Sequence, residues 1–89
     1  MVVETFRHRN RSSNIEAVHF VPSILEEAAA WCGGKPIYNT SGMHELEVFN
    51  YEGPITAEPG DWIVKDERGK FYAIHEELFF SLYERSVSV

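Results

Sequence analysis

The sequence predicts an α+β fold, namely a small, mostly antiparallel sheet of four or five strands with one helix packed on it and a short C-terminal helix. Residues 23–32 and 76–85 have the apolar spacing of helices, and short apolar segments between turn residues indicate the strands. A chain of 89 residues with 13% aromatic residues has the size and composition of one folded domain. A barrel-like arrangement of hairpins is the alternative.

The first strand is predicted at residues 15–20, which are short, mostly apolar and partly β-branched. A helix follows, with Ser23 as its cap and Glu26 at the spacing that completes a capping box. Gly33 and Gly34 are predicted to end this helix, because glycine adopts the left-handed conformation without a steric penalty.

The middle of the chain is predicted to contain two further strands. Residues 35–43 suit a short edge strand followed by a turn, since they combine apolar residues with proline, glycine and small polar residues. Residues 45–48 alternate between glutamate and apolar side chains. Leu46 and Val48 are therefore expected to face the core while the glutamates face water.

A β-hairpin is predicted at residues 61–65 and 70–74, around a polar loop. Pro59 and Gly60 before it suit the two central positions of a type II turn. The Asp61 carboxylate is expected to accept backbone amides across that turn.

Aromatic residues are expected to hold the hairpin and the last helix together. Trp62 and Val64 point to one side of the hairpin, while Phe71 and Ala73 share a face across it. The covering face of helix 76–85 is predicted to consist of four residues, Leu78, Phe79, Leu82 and Tyr83. Phe80 falls about 130° from the centre of this face. It is therefore a candidate contact for a partner, or it packs under a terminal segment.

The charge of the chain argues against nucleic-acid binding. Fourteen acidic residues against eight basic ones give a net charge of -6, which repels a phosphate backbone. Residues 1–14 are predicted to form a basic arm before a single domain at residues 15–89. In an extended arm Arg7, Arg9 and Arg11 share one side and could bind phosphates or an acidic protein surface. A solvated arm without a partner is the alternative.

No residue pattern predicts catalysis, a metal site or a cofactor. The four histidines are scattered, without the close spacing of zinc ligands. Cys32 lies on the apolar face of a helix near its C-terminal end, where the pKa of a thiol is raised rather than lowered. A single cysteine forms no intramolecular disulfide, and we find neither a membrane-spanning segment nor a secretory signal. We therefore expect a non-enzymatic protein in a reducing cytoplasm, without a membrane partner.

The sequence resembles a widespread family of small tailed-phage and prophage proteins over residues 6–84. Members begin with a basic and aromatic stretch, which corresponds to residues 6–11, and end with a characteristic hairpin and an aromatic helix. The matching residues are Pro59, Gly60, Asp61, Trp62, Phe71, Tyr72, Phe79 and Tyr83. This chain departs from the family in its additional residues 1–5, and in Ala73 and Ile74, where relatives often carry proline and cysteine. The resemblance implies a setting and a fold, and it supplies no catalytic or ligand residues.

The resemblance and the absence of catalytic motifs predict a phage accessory protein that binds a host or phage protein in the host cytoplasm, for host takeover or defence antagonism. The candidate partner-binding residues are Arg7, Arg9, Arg11 and Phe80. Two alternatives are a protein that sequesters a nucleotide-type signal and a minor virion component. A core of this size is also compatible with a homo-oligomer.

Overall fold

The computed structural model describes residues 1–38 and 43–86 and confirms the α+β fold. These residues form two helices and eight strands in two antiparallel sheets. The elements in chain order are β1 (Glu4–His8), β2 (Asn14–His19), one turn of 3-10 helix (Pro22–Ile24), α1 (Leu25–Cys32), β3 (Lys35–Ile37), β4 (Glu45–Asn50), β5 (Gly53–Ala57), β6 (Trp62–Lys65), β7 (Phe71–Ile74), α2 (Glu76–Leu82) and β8 (Tyr83–Arg85).

The larger sheet has five strands in the order β7-β6-β2-β1-β8, and every neighbouring pair is antiparallel. Phe6 lies opposite Ile15, Ala17 opposite Val64, and Val64 opposite Tyr72. Residues paired in this way project to the same face of a sheet. The register therefore brings these five side chains together on one face.

Strand β1 corrects the prediction of a separate basic arm at residues 1–14. It pairs with β2 on one side and with β8 on the other, and the Phe6 side chain is fully buried. The alternating arginines favour a solvated arm when the sequence is considered alone. They follow Phe6, however, and the Phe6 ring is part of the core. Residues 4–8 thus belong to the folded domain.

The smaller sheet has the order β3-β4-β5. Leu46 and Val48 of β4 are fully buried, as predicted, and β3 lies at one edge. Strand β5 was not predicted, because its Gly53 and Pro54 are unfavourable for strands; the structure places this strand at the other edge, where proline is tolerated. The turn predicted after β3 falls on residues 39–42, which lie outside the described residues.

Two apolar clusters form the core. The first joins α1, the smaller sheet and the β6–β7 hairpin; its buried members are Phe20, Leu25, Ala28, Ala29, Cys32, Leu46, Val48, Ala57 and Ile63. The second lies beneath α2, and its buried members are Phe6, Ile15, Ala17, Trp62, Val64 and Phe79. The adjacent residues Trp62 and Ile63 belong to different clusters because successive strand residues point to opposite faces. Phe71 and Ala73 share a face as predicted, and they pack against the first cluster.

Helix α1 begins two residues later than predicted. Pro22 opens a turn of 3-10 helix, and the α-helix starts at Leu25 with Ile24 in the capping position. No side-chain capping bond forms at either start within the described residues, so the predicted cap at Ser23 is wrong.

The end of α1 is as predicted, and it brings the chain against β4. Gly33 has a φ of 67°, and its amide donates to the Ala29 carbonyl. A side chain on Gly34 would place its Cβ 2.5 Å from the Glu47 carbonyl oxygen. Glycine at position 34 therefore allows the close approach of the two backbones.

Helix α2 is shorter than predicted, since the chain becomes extended at Tyr83 and continues as β8. Phe79 is fully buried, whereas Leu78 is 53% exposed. Phe80 is half-buried and packs edge-on against Phe6 and Trp62. The predicted covering face is therefore wrong at Leu78. Neither helix of the described residues is long and apolar enough to cross a membrane.

Candidate functional site

The turn at Pro59 and Gly60 fixes the start of the β6–β7 hairpin. Gly60 has a φ of 99°, and the Asp61 amide donates to the Glu58 carbonyl at 3.0 Å. The Asp61 carboxylate in turn accepts the Glu58 amide at 3.0 Å, as predicted. This part of the motif has a structural role.

Asp61 also holds the start of α2. Its buried carboxylate lies 2.8 Å from Nδ1 of His75, whose side chain is 80% exposed. Among the described residues, no hydrogen bond joins His75 to a hydroxyl or thiol, and no group of three potential metal ligands comes together. The pair connects the β6–β7 hairpin to the start of α2.

The aromatic motif residues belong to the second core cluster. Trp62 and Phe79 stack with their ring centroids 4.6 Å apart, and Phe6 meets both rings edge-on. The Trp62 indole nitrogen is buried and has no hydrogen-bond partner among the described residues. Trp62 and Phe79 therefore stabilise the fold and are not accessible to a ligand.

Cys32 is buried in the first core cluster, which confirms the environment predicted for it. Burial raises the pKa of its thiol. The protonated thiol is a poor nucleophile, so this position behaves as a small apolar residue.

A groove opens at the end of the larger sheet, between the β1–β2 turn and the β6–β7 turn. In these turns the His8 amide donates to the Ser13 carbonyl at 3.0 Å, and the Asp66 amide donates to the Lys70 carbonyl at 2.9 Å. The groove has a volume of about 520 Å³. It is lined by His8, Arg11, Ser13, Ile15, Asp66, Glu67, Arg68, Lys70, Tyr72, Ile74 and Tyr83.

The floor of the groove is apolar and aromatic. Ile15, Tyr72 and Ile74 line it from β2 and β7, and the rings of His8 and Tyr83 meet edge-on at 5.3 Å. Burial raises the pKa of Tyr83, and the Asp66 carboxylate raises it further. The Tyr83 phenol therefore keeps its proton at neutral pH and can donate a hydrogen bond.

The two carboxylates of the groove are engaged with backbone amides. Asp66 accepts hydrogen bonds from the amides of Arg68 and Lys70, both at 2.9 Å. Glu67 accepts the Asn14 amide at 3.1 Å and so ties the two turns together. These bonds hold the acidic side chains against the backbone and stabilise both rims.

The cationic side chains of the groove are less engaged. Arg11 on one rim and Arg68 on the other form no ion pair with any residue in the ranges 1–38 and 43–86. Guanidinium groups bind carboxylates and phosphates through paired hydrogen bonds. The rims are thus suited to an anionic group that enters between them.

The three arginines of the predicted stripe line one hollow at the β1–β2 turn, but two of them are held in ion pairs. Arg7 and Arg9 both pair with Glu84 of β8, and the Arg9 side chain also donates to the Phe80 carbonyl at 3.0 Å. The hydrogen bond from Arg7 lowers the pKa of Glu84. Arg11 takes no part in these ion pairs with Glu84 and also lines the groove. Of the four candidate partner-binding residues, Arg11 alone lines the groove.

A second hollow adjoins the groove at the tip of the β4–β5 hairpin. Tyr51 is 78% exposed and Phe49 is 49% exposed. The Lys70 ammonium lies 4.0 Å from the centroid of the Tyr51 ring. The Asn50 side chain donates to the Phe71 carbonyl at 3.0 Å and so fixes the tip to β7.

Sequence reasoning missed most of the groove. The sequence predicts Arg68 in a polar hairpin loop, Lys70 and Tyr72 in a strand, and Tyr83 on the covering face of the last helix. These residues meet Arg11 only because β2 pairs with both β1 and β6. Glu4–His8 holds a single apolar residue, Phe6, among polar ones, so the sequence carries no alternation that marks β1.

No protein-family model matches the chain, and neither the curated proteins nor the solved structures contain a significant match to it.

Proposed function

We propose that this chain is a non-enzymatic accessory protein of a tailed phage, acting in the host cytoplasm by binding a host or phage protein. The resemblance over residues 6–84 supports the phage setting. The groove between the two turns supports a binding role and is the surface to which we assign it.

One observation carries the proposal of a protein partner. Arg11 and Arg68 face the groove from opposite rims, and the described residues leave both without an ion pair, whereas Asp66 and Glu67 are bound to backbone amides. An acidic segment of a partner supplies the carboxylates that these guanidinium groups lack. The partner surface is therefore acidic.

Affinity capture from host lysate tests this proposal. We expect the wild-type protein to retain a defined partner that Arg68→Gln loses, because the substitution removes one of the two groove guanidinium groups. Lys35→Gln is the matched control, since Lys35 is exposed on the smaller sheet. Recovery of the same proteins by both variants, or of none above background by the wild type, would contradict the proposal.

Sequestration of a nucleotide-type signal is the second candidate function. The groove volume of about 520 Å³ lies within the range of small-molecule sites, and the tyrosines of the floor lie near cationic rims. A thermal-shift assay with a nucleotide panel separates the two functions. Ligand at 100 times its Kd adds about 2.7 kcal/mol to the free energy of unfolding, so a binding nucleotide gives a clear shift.

A further inference from the structure

We infer that the partner contributes an acidic peptide segment with an apolar side chain next to its carboxylates, and that this segment binds the groove and the β4–β5 tip together. The inference rests on the proposed function and adds the chemistry of the ligand. Its basis is that Arg68 and Lys70 line both the groove and the hollow beside the exposed aromatic tip.

The β6–β7 turn connects the two parts. Arg68 and Lys70 line the groove and also line the hollow beside Phe49 and Tyr51. A peptide that places a carboxylate at Arg68 therefore reaches a residue that also lines the hollow of the aromatic tip. An extended peptide can follow this path, because its successive side chains lie only about 3.3 Å apart along the strand.

The tip supplies a contact of different chemistry. Phe49 and Tyr51 expose much of their aromatic surface, and the Asn50 bond to the Phe71 carbonyl holds them beside β7. The Lys70 ammonium lies over the Tyr51 ring, so that a cationic group and an aromatic ring are in contact at the boundary of the tip. An apolar side chain that follows an acidic residue gains contact area at this boundary.

Charge selects a short acidic peptide over a polyanion. The chain carries a net charge of -6, and its groove holds Asp66 and Glu67 as well as three cations. A nucleic-acid strand would bring its many phosphates against the acidic remainder of the surface. A peptide with a few carboxylates engages the rims without that repulsion.

Fluorescence anisotropy with labelled peptides tests the inference. The probe is a short run of glutamates followed by phenylalanine, and its matched controls carry alanine in place of the phenylalanine or glutamine in place of the glutamates. We expect the phenylalanine probe to bind wild-type protein about fivefold more tightly than the alanine peptide. The glutamine peptide is expected not to bind.

Two protein variants assign the contacts. Arg68→Gln should weaken both acidic peptides about tenfold, whereas Tyr51→Ala should abolish only the advantage of the phenylalanine probe. Tyr38→Ala, which also removes an exposed tyrosine, should leave all affinities unchanged. Circular dichroism checks that each variant is folded.

The possible failures are distinguishable. If both acidic peptides bind equally and depend on Arg68 but not on Tyr51, the inference is overturned while the proposed function stands. If no acidic peptide binds the folded wild-type protein, both are overturned. If a free nucleotide displaces the probe, and Tyr51→Ala binds the probe as tightly as the wild type does, the small-ligand function is favoured and the inference is overturned.

Discussion

Leu78 and Phe79 are adjacent in α2 but have opposite environments. Phe79 is fully buried between Trp62 and Tyr83, while Leu78 is 53% exposed. Spacing along the helix assigned both residues to the buried face. The structure departs from this assignment because the helix ends before Tyr83. The side of this short helix that is buried is the side on which Phe79 packs into the second core cluster.

Substitution of these neighbours should separate the two environments. We expect Phe79→Ala to reduce the free energy of unfolding by about 3–5 kcal/mol, because it leaves a cavity in the aromatic cluster. Leu78→Ala should cost only about 0.5 kcal/mol. Urea denaturation measures both values, and similar losses for the two variants would contradict the placement of α2.

At the scale of elements, the strands with regular alternation were predictable and the others were not. The pattern at Glu45–Asn50 indicated β4, and the paired apolar segments indicated the β6–β7 hairpin. Strand β1 was not predictable because Phe6 is its single apolar residue, and β8 was not predictable because it pairs with β1 at the other end of the sequence. Residues in the groove could not be grouped for the same reason, since they meet through pairings that local sequence does not encode.

The β1–β8 pair should make stability depend on pH. Hydrogen bonding and charge attraction from Arg7 lower the pKa of Glu84 in the folded protein below its ordinary value of 4.5. The stabilisation is therefore complete above that value and is lost as the pH falls through the lowered folded pKa. Urea denaturation from pH 7 down to pH 3 should show a larger loss for wild type than for Glu84→Gln. Parallel curves for the two proteins would count against this ion pair.

For the molecule as a whole, strand β1 is an integral part of the larger sheet and of the second core cluster. It separates β2 from β8 in the five-stranded sheet, and Phe6 contacts Trp62, Phe79 and Phe80. Without it β8 has no neighbour in this sheet, and the second core cluster loses its central ring.

Deletion of residues 1–8 tests this role, because an arm could be removed without effect. We expect the truncated protein to lose cooperative thermal unfolding and the dispersed amide signals of a folded domain in its NMR spectrum. Arg7→Gln in the full-length chain is the control, and it should unfold cooperatively. A truncated protein with a native spectrum would restore the interpretation of residues 1–14 as an arm.

The pairing of Phe6 with Arg85 also has a consequence for synthesis on the ribosome. Of the strands in the larger sheet, β1 is synthesised first and its neighbour β8 last, so one edge of β1 stays unpaired until residue 85 has been made. Contacts between residues so distant in sequence form slowly because a long loop must close first. The β1–β8 pair is therefore expected to form late in folding, with chaperone occupancy concentrated on β1 until residue 85 has left the ribosome.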